Sequence, residues 1–175
     1  MPKLETIRDL LAEGKPLARG RVCEVAALVL TQPRKANLLI ECLWDEDPGV
    51  ANRAADALER ASYHLPSILE SWKAPLLGLL AEATYNKLRW NLALIVPRLA
   101  LTVPECQRAA ATLHTYLEDK SSIVKTCSMQ GLAGLTRQDA SLRPMVLDLL
   151  RVLSRSGTPA MRARGRILLR QLEGK

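Results

Sequence analysis

The sequence predicts an all-α fold, an α-solenoid of about five antiparallel helix pairs. Three observations carry the prediction. Apolar residues recur at helical spacing in every long segment and nowhere alternate at period two over a useful length. Aromatic residues make up 3% of the chain and Phe is absent, so the core is left to Leu, Ala, Val and Ile. That composition suits close-packed helices and suits a β-sandwich poorly, because strands favour aromatic and β-branched residues. Third, the chain repeats itself at a period in the high thirties, which is the mark of a solenoid.

The elements follow in order. Leu4, Ile7, Leu10 and Leu11 form the first apolar stripe, Leu38, Leu39 and Leu43 another, and Leu142, Val146, Leu149 and Leu150 a late one. Turn signals separate the helices: EGKP, DEDPG, YHLPS, LTVPE, EDKSS, RQDAS and RSGTP. Pro suits the first helical turn, where its missing N–H costs nothing, and Asp, Ser or Thr before it can cap the unpaired amides. The second helix of each pair is placed at 17–31, 48–62, 85–101, 121–137 and 158–173. Their anchor residues are Ala18, Val50, Leu88, Val124 and Met161, spaced by 32, 38, 36 and 37. Four positions on, the column is small or apolar (Val22, Ala54, Leu92, Ser128, Gly165), and eight on it is apolar (Ala26, Leu58, Val96, Leu132, Leu169). Directly after the anchor it reads Arg19, Ala51, Arg89, Lys125 and Arg162. Pro97 is expected to kink the helix that holds it, and Pro75 to split its own.

The stretch DEDPGVANRAADAL carries a family likeness. Asp47, Val50, Ala54, Ala55, Ala57 and Leu58 match the second helix of the HEAT repeat, which this chain resembles over nearly its whole length. Ala51 departs from the pattern, standing where the family usually has Arg. The resemblance implies a right-handed superhelix with the second helices on its concave face, in one domain covering 1–175. It specifies fold far better than function.

Charge is unevenly distributed. The net charge is +7. The five second helices hold thirteen basic and four acidic residues, leaving twelve and fourteen for the remainder. The positive charge therefore lies on one layer, where it would attract an anionic partner. Residues following the anchor can instead pair with the acidic turn of a neighbouring unit, a purely structural use for Arg19, Arg89, Lys125 and Arg162. Arg21, Arg53, Arg60, Arg98, Arg164 and Arg170 fall in columns expected to face solvent. Trp90 and Leu94 share a helix face beside Arg89 and Arg98, and Trp with Arg dominates binding hot spots. Trp90 reads either as such an anchor or as filler for a gap at the Pro97 kink. Trp44 and Trp72 read as core or ridge residues.

Motifs for chemistry are missing. The nine glycines are scattered and form no phosphate loop. Cysteines 23, 42, 106 and 127 make no CxxC pair and lie far in sequence from His64 and His114, which points to free thiols rather than a zinc site. No apolar run reaches the length needed to span a bilayer, and the opening MPKLETIRDLLAEGKP lacks the apolar core of a signal peptide. The expectation is a cytoplasmic, non-enzymatic scaffold without cofactor or metal. It would bind an acidic protein or peptide through Arg53, Arg60, Arg89, Trp90, Leu94, Arg98 and Arg164. The alternative is a nucleic-acid binder using the same basic face.

Overall fold

A computed structural model describes residues 6–13 and 20–174, and among them every regular element is helical. The chain forms two compact units, Met1–Lys73 and Ala74–Lys175. In the first unit the α-helices are α1 (Ile7–Ala12), α2 (Val22–Thr31), α3 (Ala36–Glu41) and α4 (Pro48–His64). Helix α5 (Lys73–Glu82) opens the second unit, followed by α6 (Asn86–Ile95), α7 (Val103–Thr115), α8 (Ser122–Leu135), α9 (Arg143–Ser156) and α10 (Pro159–Glu173). The second-helix ranges read from the sequence coincide with α2, α4, α6, α8 and α10 to within a few residues. Leu4, Ala18 and Arg19 lie outside the described residues.

Local chemistry sets the helix starts. The Asp47 side chain accepts the Gly49 N–H at 2.7 Å and Pro48 opens α4. Ser121 and Thr158 cap α8 and α10 in the same way, and Thr6–Asp9 and Thr102–Glu105 form capping boxes at α1 and α7. The prolines act differently from expectation. Helix α6 ends at Ile95, and Pro97 lies in a tight turn, Val96–Arg98, that closes it rather than kinking it. Pro75 falls in the first turn of α5, where a missing N–H breaks no helical bond, so it leaves the helix whole.

The repeat columns form the core. Val50, Leu88, Val124 and Met161 are buried, and so are Val22, Ala54, Leu92, Ser128 and Gly165. In the eight-on column only Leu169 is half-buried; Ala26, Leu58, Val96 and Leu132 are fully inside. In the first unit α4 packs against α1, α2 and α3. In the second unit α8 lies between α6 and α10, with α7 and α9 packed behind. Glycine sets how closely these helices approach. A methyl on Gly131 would fall on the Ala93 carbonyl oxygen of α6, and one on Gly165 on the Ser154 hydroxyl of α9.

Candidate binding face

Two aspartates at inter-helix turns show how neighbouring helices are tied within each unit. A tight turn, Cys42–Trp44, leads into Asp45, and another, Tyr116–Glu118, leads into Asp119. Each aspartate accepts the N–H two residues on, from Asp47 at 2.9 Å and from Ser121 at 2.7 Å. Each also holds an arginine. Arg8 Nε lies 2.6 Å from Asp45 Oδ2, and Arg89 Nη1 lies 2.7 Å from Asp119 Oδ2. The hydrogen bond from Arg8 keeps the Asp45 carboxyl below the usual carboxylate range. Burial pushes Asp119 up, but the bonds from Ser121 and Arg89 with the nearby positive charge outweigh it, and its pKa is also lowered.

Several residues expected on a ligand-facing surface are thereby accounted for. Arg89 Nε also donates to the Ala83 carbonyl at 2.7 Å, and its guanidinium sits 5.0 Å over the Tyr116 ring. It is the structural ladder residue, not a free contact. Tyr116 is buried, donates its hydroxyl to the Leu80 carbonyl, and burial pushes its phenol up to about 12. Arg53 was expected to face solvent, but it is only 4% exposed and its Nε donates to the Leu11 carbonyl in the last turn of α1. That carbonyl has no partner within its own short helix, so a neighbouring helix supplies one. Arg60 stays half-exposed and pairs with Asp56 on its own helix at 2.9 Å. Arg162 donates to the Gly157 carbonyl at 3.0 Å.

The remaining candidates gather in the second unit, where α6, α8 and α10 lie side by side. Trp90 and Leu94 on α6, and Arg98 in the turn that closes it, are all half-buried rather than exposed. Arg98 has its own interactions in the turn closing α6. Arg164 on α10 is exposed, and its Nη1 donates to Gln130 Oε1 of α8 at 3.2 Å. Helices α6 and α8 contain no acidic residue. Toward the C-terminal ends of α8 and α10 the same face opens into a cavity of about 390 Å³. Ala133 and Leu168 line its apolar side, with Gln130, Gln171, Arg137 and Arg143 as polar groups around it. Arg143 Nη2 also donates to the Leu172 carbonyl, which fixes its guanidinium at the cavity wall.

Gln130, Arg137 and Arg143 were not singled out from the sequence. Gln130 and Arg137 did lie on a second helix, and the column equivalence of Gln130 with Leu94 could have placed it on this face. Arg143 starts a first helix, and nothing in its spacing points to the layer it joins.

Chemistry-bearing groups elsewhere are quiet. Cys42 and Cys106 are buried, Cys127 is half-buried and Cys23 exposed, none of them in a disulfide. Burial pushes Cys42 up to about 11 and raises Cys106 as well. Among the described residues no three His, Cys, Asp or Glu side chains gather as a metal site, and no helix is long and apolar enough to cross a membrane.

No family model matches the chain, and no curated protein matches it. Among solved structures it is similar to the designed armadillo repeat protein YIII(Dq)4CqI. The TM-score is 0.60 at 17% identity, over 95% of this chain and 80% of that one. The likeness establishes an all-α, armadillo-like solenoid fold. At that identity it shows the fold alone, and it does not single out HEAT repeats within the helical-repeat class.

Proposed function

We propose that this chain is a non-enzymatic scaffold that binds an acidic protein segment on the outward face of α6, α8 and α10. The carrying observation is the cavity beside Gln130, where Arg137 and Arg143 stand next to the apolar side chains of Ala133 and Leu168. Such a site can take a carboxylate together with its aliphatic stem. Trp90 and Leu94 supply apolar area on the neighbouring helix, and Arg164 adds charge nearby. Helical-repeat folds use such layered surfaces for extended partners.

Ion pairing, hydrogen bonding and burial account for the titration shifts. The shifted carboxylates, Glu24, Asp45, Asp119 and Asp139, are all held low, and Cys42, Cys106 and Tyr116 are all pushed up. The four free thiols suit a reducing compartment, and we assign the cytoplasm.

A second reading, nucleic-acid binding, is favoured by one observation: Arg162, Arg164, Arg166 and Arg170 are all exposed on α10. One experiment separates the two. Fluorescence anisotropy is recorded with a labelled glutamate-rich peptide and with labelled duplex DNA over a salt series. The scaffold reading expects peptide binding that is weakened in Trp90→Ala and Arg137→Gln at an unchanged thermal midpoint. DNA binding with a log–log salt slope near −0.9 per phosphate contacted, and no peptide binding, would replace it with the second reading.

A further inference from the structure

The first unit carries an exposed surface of opposite character. The outward side of α3 and the turn that follows it presents Leu38, Glu41 and Trp44 in successive turns. Leu38 is 51% exposed and Trp44 is 46% exposed. Trp44 stacks on Trp72, with ring centroids 6.2 Å apart and planes at 29°. Trp72 is fixed in turn, because its Nε1 donates to Asn37 Oδ1 at 2.8 Å. Trp44 is thus braced on one side and open to solvent elsewhere. An apolar groove of about 290 Å³ runs beside Leu38, between α3 and the start of α1. A braced, exposed Trp with an exposed Leu beside an apolar groove is the composition of an interface anchor, not of a solvated ridge.

Charge selects the occupant. Residues 34–47 hold four carboxylates, Glu41, Asp45, Glu46 and Asp47, and two basic residues, Arg34 and Lys35, which lie before Leu38, at the end away from Trp44. Arg8 neutralises one of the carboxylates, Asp45. Glu41 stands between Leu38 and Trp44, is exposed, and forms no ion pair among the described residues. An indole face attracts cations more strongly than any other side chain ring, and a carboxylate one turn away reinforces it. At the Glu41–Trp44 end the exposed carboxylate and the indole favour a cation.

We propose that the Leu38–Glu41–Trp44 face is a second docking surface, for a basic segment of a partner protein that lays a Lys or Arg between Trp44 and Glu41 and an apolar side chain into the groove at Leu38. The surface shares no residue with the acidic-partner site in the second unit, and its partner has the opposite charge.

The test uses the full chain and a short fluorescein-labelled peptide of repeated Leu-Arg-Lys triplets. Saturable binding is expected in anisotropy titrations, weakened at least about tenfold by Trp44→Ala, by less in Glu41→Gln, and not at all by Trp90→Ala. Glu41→Lys, on an exposed side chain, is expected to abolish binding at an unchanged circular dichroism spectrum, which keeps the test sharp if Trp44→Ala unfolds. Absence of binding overturns the proposal, as does binding indifferent to the Glu41 variants. Sedimentation velocity on the chain alone supplies the last arm. Self-association that Trp44→Ala removes would make a second copy of this chain the occupant and overturn the basic-partner assignment.

Discussion

The α3 face of the first unit sets Trp44 and Leu38 beside the exposed Glu41, whereas α6 of the second unit carries Trp90 and Leu94 with no acidic residue. Both use one Trp and one Leu within a helical turn or two. They differ in the exposure of the indole, with Trp44 open and Trp90 half-buried, and in the sign of the surrounding field. The net charge of +7 is an average over two regions for which opposite partners are proposed. A global charge says that anions are attracted on balance; it does not say which surface attracts them.

The largest expected effect breaks the second face at its foundation. Gly131→Val drives a branched side chain into the Ala93 backbone, and urea denaturation should show a loss of about 3 kcal/mol, with the acidic-peptide signal lost as α6 and α8 are forced apart. Next is Arg53→Met, which leaves the buried Leu11 carbonyl without its donor. It should cost about 2 kcal/mol in the same measurement while leaving acidic-peptide binding unchanged, since Arg53 belongs to neither face. If peptide binding fell and stability did not, Arg53 would return to the surface where the sequence placed it.

Trp90→Ala should weaken the acidic peptide by about 2 kcal/mol and leave the basic peptide untouched, which separates the two surfaces directly. A smaller effect comes from Asp119. Its folded pKa lies below the unfolded value of about 4, so its pairing with Arg89 stabilises fully above that pH and is lost as pH falls through the folded pKa. Asp119→Asn should therefore cost about 1 kcal/mol at neutral pH and flatten the stability profile below about pH 4, read from denaturation midpoints across pH. The smallest is Arg164→Gln. Stability should shift by less than about 0.5 kcal/mol, while stopped-flow association with the acidic peptide slows and loses part of its salt dependence.

Much of the fold was legible because a repeat states each structural requirement several times. Val50, Leu88, Val124 and Met161 are one buried position written four times, and the column four positions on repeats the burial with Ala54, Leu92, Ser128 and Gly165. The site was much less legible. Arg53 and Arg164 look alike in sequence, each an arginine outside the ladder column. One fills a carbonyl left bare by the short helix α1, and the other reaches across to Gln130. Trp44 and Trp72 lie 28 residues apart, and no periodicity joins them. Pro97 was read as a kink because the helical pattern runs past it, whereas the backbone ends the helix two residues earlier.

The sequence by itself determined the helical class, the pairing of short helices, the stacking columns and the excess of positive charge on the second helices. Those features are local or periodic, and they follow from helix geometry, capping and the burial of apolar side chains. Only the tertiary structure decided which arginines are consumed by neighbouring carbonyls and carboxylates, which Trp is braced in the open, and where the face between α8 and α10 opens. Each of those depends on which partner a side chain meets from another helix, and helical spacing carries no information about that.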